Sequence, residues 1–188
     1  MNVTATDLPG VLIIEPDVYY DERGFFLESW RQPRYADAGI TRPFVQDCHS
    51  RSRKGVLRGM HLQILHAQAK LCRVVAGAVQ DVVVDVRRDS PCFGRWVAVE
   101  LSAENFRQIY VPRGFLHGYL ALTDHVEFLY KCDNLYTPGD ECGVCWNDPT
   151  ISIAWRLGAD PILSAKDAAL PSLADLPRDR FPSVAETK

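Results

Sequence analysis

Four residues in this chain are equipped for acid–base chemistry: His61, Lys70, His117 and Tyr130. A histidine accepts a proton near neutral pH. A lysine ammonium donates hydrogen bonds and accepts none, so it can hold an oxyanion. A tyrosine phenol can hand a proton to carbon. Together these groups suit enolisation, in which a proton leaves the carbon beside a ketone and the oxyanion is held. A proton returned on the opposite face then inverts the centre. No metal and no redox cofactor is needed, because the ketone already acidifies its neighbours. Each residue also has a plainer reading. Lys70 fits a strand-end lysine in water, Tyr130 fits a core residue with a satisfied hydroxyl, and His61 taken alone fits an ordinary histidine. A fold that turns them into one pocket favours the chemistry.

The elements that must position them are short strands. Phe25-Phe26-Leu27-Glu28 follows a turn at Asp21-Glu22-Arg23-Gly24. Lys70 to Val75 runs up to Gly77, and Ala78 to Arg87 alternates, with Val82, Val84 and Val86 on one face and Asp81, Val83 and Asp85 on the other. Trp96 to Leu101, Arg107 to Val111 and His125 to Lys131 continue the series. Helix signals are confined to Arg31 to Ala38, stopped near Gly39, and to a turn after Ser164, which is placed to cap it. Regularly spaced strands with few helices predict an all-β sandwich or antiparallel barrel in a single domain. The tail from Pro171 is rich in Pro, Asp and Arg and is expected on the surface, outside a core of about residues 11–169.

Bulk properties narrow the function. With 188 residues, 47% of them hydrophobic and 24% charged, the chain is one ordinary globular domain. A formal net charge of −3 lacks the basic footprint of a nucleic-acid binder. No apolar run is long enough for a bilayer, and Met1 to Gly10 lacks a signal-peptide pattern, so a cytoplasmic location is expected. The six cysteines then read as reduced thiols acting as small hydrophobes. The pair Cys142 and Cys145 has CxxC spacing but too few companions for a structural zinc.

The stretch Gly55-Val-Leu-Arg-Gly-Met-His61-Leu-Gln63, then Lys70 and Gly77, then Pro112-Arg-Gly114-Phe-Leu-His117, resembles the two motifs of the cupin barrel, or jelly roll. In metal-binding cupins the first motif supplies two histidines and a glutamate. Here Gln63 replaces the second histidine and Lys70 stands in the glutamate's place. A cation repels a cation, and His61 with His117 alone are too few ligands. The resemblance therefore implies barrel geometry without the metal. A metal-dependent cupin enzyme and a non-catalytic sugar-binding module are the rivals from other classes, and a sugar ketoisomerase is a rival on the same barrel.

A closer resemblance, from about Val11 to Ala169, is to the dTDP-4-dehydrorhamnose 3,5-epimerases. It is carried by Asp21-Glu-Arg-Gly-Phe-Phe-Leu-Glu28, Phe44-Val-Gln-Asp47, His49-Ser50, the His61 and His117 motifs, Phe128-Leu-Tyr-Lys131, Trp146-Asn-Asp148 and Ser164-Ala-Lys-Asp167. The resemblance implies that His61 is the base, that Asp167 pairs with it, that Lys70 holds the enolate and that Tyr130 is the opposing proton donor. It implies substrate contacts at Arg23, Glu28, Gln46, Asp47, Arg58, His117, Glu141 and Lys166, with Arg58 and His117 suited to the pyrophosphate. Cys48 and Gln63 are added as candidate substrate neighbours. It further implies a nucleotide-diphosphate sugar as substrate and a homodimer in which N-terminal segments cross to the partner's site, so that Arg23 and Glu28 serve the other subunit.

Three positions depart from the pattern. Cys48 replaces a usual asparagine, Leu62 a usual aromatic, and Met60 a usual leucine. Cys48 and Leu62 are expected near the substrate, which leaves open an epimerase acting at one carbon only. Strict alternation also sets Arg58 and His61 on opposite faces of one strand. A bulge at Gly59 would reconcile them.

Overall fold

The structure, a computed structural model, describes residues 1–187. Its strands are β1 (Asn2–Ala5), β2 (Leu12–Glu15), β3 (Val18–Asp21), β4 (Gly24–Leu27), β5 (Gln46–Ser52), β6 (Leu57–Gln63), β7 (Lys70–Ala76), β8 (Ala78–Asp85), β9 (Trp96–Ser102), β10 (Gln108–Val111), β11 (Phe115–Ala121), β12 (Val126–Cys132) and β13 (Glu141–Gly143). Two short helices accompany them, α1 (Gln32–Ala36) and α2 (Ala165–Ala168). A six-stranded sheet runs β1-β2-β10-β7-β12-β5, and a five-stranded sheet runs β13-β6-β11-β8-β9. Neighbouring strands are antiparallel in both sheets. Strands β3 and β4 form a hairpin apart from these sheets. This is the jelly-roll architecture expected from the strand pattern and motifs. Among the described residues no helix is long and apolar enough to cross a membrane.

The two sheets face each other across an apolar layer. Val79, Val83 and Tyr119 from one sheet pack with Cys72, Val74, Ile109 and Phe128 from the other. The opposite face of β8 is buried as well, because Val82, Val84 and Val86 join Met60, Leu62 and Leu116 in a second layer. That layer is closed by the C-terminal segment, which corrects the expectation of a peripheral tail. Leu173 and Phe181 are buried in it, and Phe181 packs edge-on against Phe93 at 6.2 Å between ring centroids. The charged residues around Phe181 stay outside while the ring itself fills the core. Lys188 lies outside the described residues. Phe181→Ala should therefore destabilise the fold by about 3–5 kcal/mol, read as a lower urea midpoint; a change under about 0.5 kcal/mol, the level of ordinary surface substitutions, would contradict this packing.

Helix α1 is shorter than the expected Arg31–Ala38. Pro33 fits its first turn, where no N–H is needed. Its end tightens into bonds from Ala38 N–H to Tyr35 and from Gly39 N–H to Ala36, and Gly39 leaves at φ +90°. Ser164 caps α2 as expected, its Oγ accepting from the Asp167 N–H at 3.0 Å.

Candidate active site

The conflict between Arg58 and His61 is resolved in β6. His61 pairs with His117 on β11, whereas Arg58 pairs with Tyr119. Three steps on β6 thus oppose two on β11, a bulge that brings residues 58 and 61 back to one face. Gly59 makes it possible, at φ +122° and with no room for a side chain. A Cβ there would lie 2.6 Å from the Gly118 Cα and 2.8 Å from the His117 carbonyl oxygen.

Arg58, His61 and His117 consequently line one cavity of about 420 Å³ between the sheets, faced by Lys70, Phe128 and Tyr130 from the other sheet. A side chamber of about 150 Å³ shares His61, Lys70 and Tyr130 with it and is bounded by Gln46 and Glu141. The third wall comes from far along the chain. Ile162 binds the backbone of Gly55 and Leu57 beside the start of β6, and the chain then turns into α2. This seats Asp167, which is buried, against the imidazole.

His61 Nε2 lies 2.6 Å from Asp167 Oδ1. The carboxylate accepts from Nε2–H in the neutral ring, so the lone pair is on Nδ1. Glu141 Oε1 is 3.4 Å from that nitrogen. Burial outweighs the two flanking carboxylates, Glu141 and Asp167, and holds the imidazole below its ordinary 6.5. The ring is thus unprotonated at neutral pH, and the carboxylates stabilise the cation that forms once it takes a proton. Burial opposes ionisation of Glu141 too, but the Lys166 ammonium, 2.5 Å away, and His61 hold this carboxyl below its usual range.

On the facing sheet, burial first and the neighbouring thiols second push the Tyr130 phenol up. It is a protonated acid at working pH. The Lys70 ammonium sits 5.8 Å from the centre of the Tyr130 ring. Arg58 is anchored by its Nε to Ser52 Oγ at 3.2 Å and by Nη2 to the Arg51 carbonyl at 3.0 Å, with further guanidinium N–H groups for the cavity. The imidazole and the phenol therefore line one cavity from opposite sheets, together with Arg58 and Lys70.

Other predicted residues lie elsewhere. The pleat of β5 sends Asp47 to the outer face, where its carboxylate accepts from Lys131 at 2.8 Å. Arg23 is at the tip of the β3–β4 hairpin, 85% exposed and paired with Asp21. Glu28 faces Arg31 at 3.2 Å and Arg34 at 3.6 Å, outside the cavity. Gln63 is buried, its amide donating to the His66 carbonyl at 2.8 Å and accepting from the Thr137 N–H at 2.8 Å, so it braces the loops at the rim. Leu62 borders the side chamber next to His61, while its side chain packs in the apolar layer behind the sheet with Met60 and Cys142. The six thiols are unpaired. Among the described residues no group of three His, Cys, Asp or Glu side chains is placed to hold a metal ion.

Two participants were not singled out from sequence. Asp81 is fully buried on β8 and holds His117 Nε2 with both carboxylate oxygens at 2.9 Å, fixing that ring on the cavity wall. An aspartate in the middle of a valine-rich strand was the available signal. Tyr119 bridges Ser50 at 3.0 Å and Ser52 at 3.1 Å, which joins the two sheets behind Arg58.

The profile of the dTDP-4-dehydrorhamnose 3,5-epimerase family matches residues 5–175. The enzyme of that name from Salmonella typhimurium is 52% identical over 175 residues, covering 92% of this chain and 96% of the relative. The crystal structure of dTDP-6-deoxy-D-glucose-3,5-epimerase from Legionella pneumophila, in complex with dTDP-4-keto-L-rhamnose, superimposes with a TM-score of 0.94 at 48% identity, over 97% of both chains. ChmJ, a 3′-monoepimerase from Streptomyces bikiniensis in complex with dTDP-quinovose, superimposes with a TM-score of 0.91 at 35% identity, over 96% of this chain and 93% of that one. Agreement along nearly the whole length, over a fold whose cavity sets a histidine and a tyrosine on facing sheets, shows that the chain belongs to the dTDP-4-dehydrorhamnose 3,5-epimerase family.

Proposed function

We propose that this protein inverts carbons 3 and 5 of a dTDP-4-keto-6-deoxyhexose, in the cytoplasm, within deoxysugar (dTDP-L-rhamnose-type) biosynthesis. The observation that carries this reading is the opposition across one cavity of the His61 imidazole, backed by the buried Asp167 carboxylate, and the Tyr130 phenol. His61 Nδ1 removes the proton beside the ketone. The electrons move onto the carbonyl oxygen, where Lys70 holds the oxyanion. Tyr130 delivers a proton to the opposite face of the carbon. Arg58 and Lys166 supply charge for the diphosphate, and His117 lies beside them on the cavity wall. No step calls on a metal or redox cofactor, and neither nucleic acid nor membrane takes part.

A homodimer accounts for the hairpin. Tyr20 and Phe26 are 70% and 68% exposed on β3 and β4, which pair with neither main sheet. Seated on a second copy, the hairpin buries these rings and carries Arg23 and Glu28 to the partner's cavity. Light scattering behind a sizing column should give twice the chain mass; a monomer at micromolar concentration contradicts the exchange.

Incubation with dTDP-4-keto-6-deoxyglucose in heavy water tests the reaction, with deuterium read at carbons 3 and 5 and the product trapped by a 4-keto reductase. Label at both carbons and a trapped L-sugar are expected. The likeness to a 3′-monoepimerase is the observation behind a second reading, action at one carbon; label at carbon 3 alone would establish it. Label at neither carbon would overturn both readings.

The pH dependence follows from the buried base. With the His61 imidazole held below 6.5, the free enzyme keeps its base down to mildly acidic pH. A plot of kcat/KM should rise through a midpoint below 6.5 and stay flat through neutrality. A midpoint above 6.5 would mean that the carboxylates dominate the ring and that this account of the base is wrong.

A further inference from the structure

Behind Arg58 three hydroxyls form a row. Ser50 and Ser52 lie two residues apart on β5 and share its inner face. Tyr119 reaches both of them from β11. Ser52 and Tyr119 are buried, whereas Ser50 is half-buried and lines the main cavity beside Arg58. Counting protons fixes the direction of this row. Each hydroxyl has one proton to give, and a buried one needs an acceptor. A guanidinium N–H can only donate, so Ser52 Oγ accepts from Arg58 Nε at 3.2 Å. The other partner of Ser52 Oγ among the described residues is the Tyr119 hydroxyl at 3.1 Å, and the Ser52 proton goes there. Tyr119 then gives its own proton to Ser50 Oγ at 3.0 Å. The opposite sense would leave the buried Ser52 proton without an acceptor. In the sense that satisfies every buried group, the Ser50 proton is the one left for the cavity.

We infer that Ser50 is a further substrate-binding residue, donating to a diphosphate oxygen, and that Tyr119 is the positioning residue that makes it a donor. This rests on the diphosphate lying against Arg58, as proposed above. The row starts on a guanidinium, which stays charged and has no acceptor, so its direction cannot reverse. Ser50 therefore meets the ligand with its O–H forward. A phosphate oxygen, which accepts and carries charge, is the partner that suits such a donor beside an arginine. The Tyr119 ring stacks on Phe128 at 4.3 Å between centroids, which holds the phenol oxygen between the two serines.

A hydrogen bond to a charged group is a strong one, so Ser50→Ala should weaken dTDP binding roughly 10–100-fold in calorimetric titration. In turnover the loss should appear as a raised KM more than a lowered kcat. Inhibition by thymidine, which has no diphosphate, should keep its strength. Tyr119→Phe keeps the stacked ring and removes the hydroxyl; it should weaken dTDP binding roughly 3–10-fold and also spare thymidine. In a Ser50→Ala background Tyr119→Phe should cost dTDP nothing further, because the donor it directs is gone. Ser50→Thr, which retains the hydroxyl, should restore most of the affinity. Full dTDP affinity in Ser50→Ala beside an impaired Arg58→Ala would overturn the inference alone. Equal weakening of dTDP and thymidine would also overturn it, in favour of a packing role. Unchanged dTDP affinity in Arg58→Ala would overturn the placement of the diphosphate and the role of Ser50 with it.

Discussion

His61→Ala should lower kcat by roughly 10²–10⁴-fold and abolish deuterium entry at both sugar carbons, while the nucleotide sugar still binds. The size of the effect follows from the site. His61 is flanked by two carboxylates, Asp167 on Nε2 and Glu141 3.4 Å from Nδ1, whereas His117 is held through Nε2 by Asp81. Binding should persist because Arg58, His117 and Lys166 are held by Ser52, Asp81 and Glu141, and not by the base. Calorimetric titration with dTDP and steady-state assay of the same preparation separate the two effects. Turnover within a factor of three of the unaltered enzyme would end the assignment. Asp167→Asn should give a smaller loss, since the amide still accepts from Nε2–H but no longer stabilises the imidazolium.

The second large effect is expected at a residue with no side chain. Gly59→Ala places a Cβ 2.6 Å from the backbone of Gly118, at a φ of +122° that L side chains rarely adopt. Positive-φ strain and overpacking each contribute about 1–3 kcal/mol, so a combined cost of roughly 2–6 kcal/mol is expected in urea unfolding. If the protein survives by flattening the bulge, Arg58 and His61 part to opposite faces, and activity falls although both residues remain. A variant with unchanged stability and kcat would show that the bulge tolerates a side chain and does not set the site.

The elements were legible because alternation and turn chemistry are local. Val82, Val84 and Val86 announced β8, and Ser164 announced the start of α2. The cavity's chemical character was legible in His61, Lys70 and His117. The geometry was less so. Period-2 reasoning separates Arg58 from His61, and only pairing with β11, nearly sixty residues away in sequence, shows the extra residue. Leu62 borders the side chamber because it adjoins His61, but adjacency in a strand turns its side chain to the opposite face, which the sequence alone did not show. Asp167 carried no signal of its own beyond favourable chemistry near a helix start, so the resemblance alone promoted it. Phe181 was hidden by the charged and proline-rich composition around it. In each case the missing information is non-local: a partner strand, a second layer, or a chain segment returning from far away.

The pairing of His61 with Asp167 closes a loop of 106 residues. All-β topologies of this kind fold in milliseconds to seconds, because distant segments must meet before contacts reward them. Here the segment carrying Asp167 runs beside the start of β6, which itself needs β11 to hold its bulge. Turnover is therefore a late reporter of assembly. When the denatured chain is diluted into buffer, far-UV dichroism should recover first, and catalytic activity should return only when the C-terminal segment docks. The order of those two signals would time the last step by which the polypeptide becomes an enzyme.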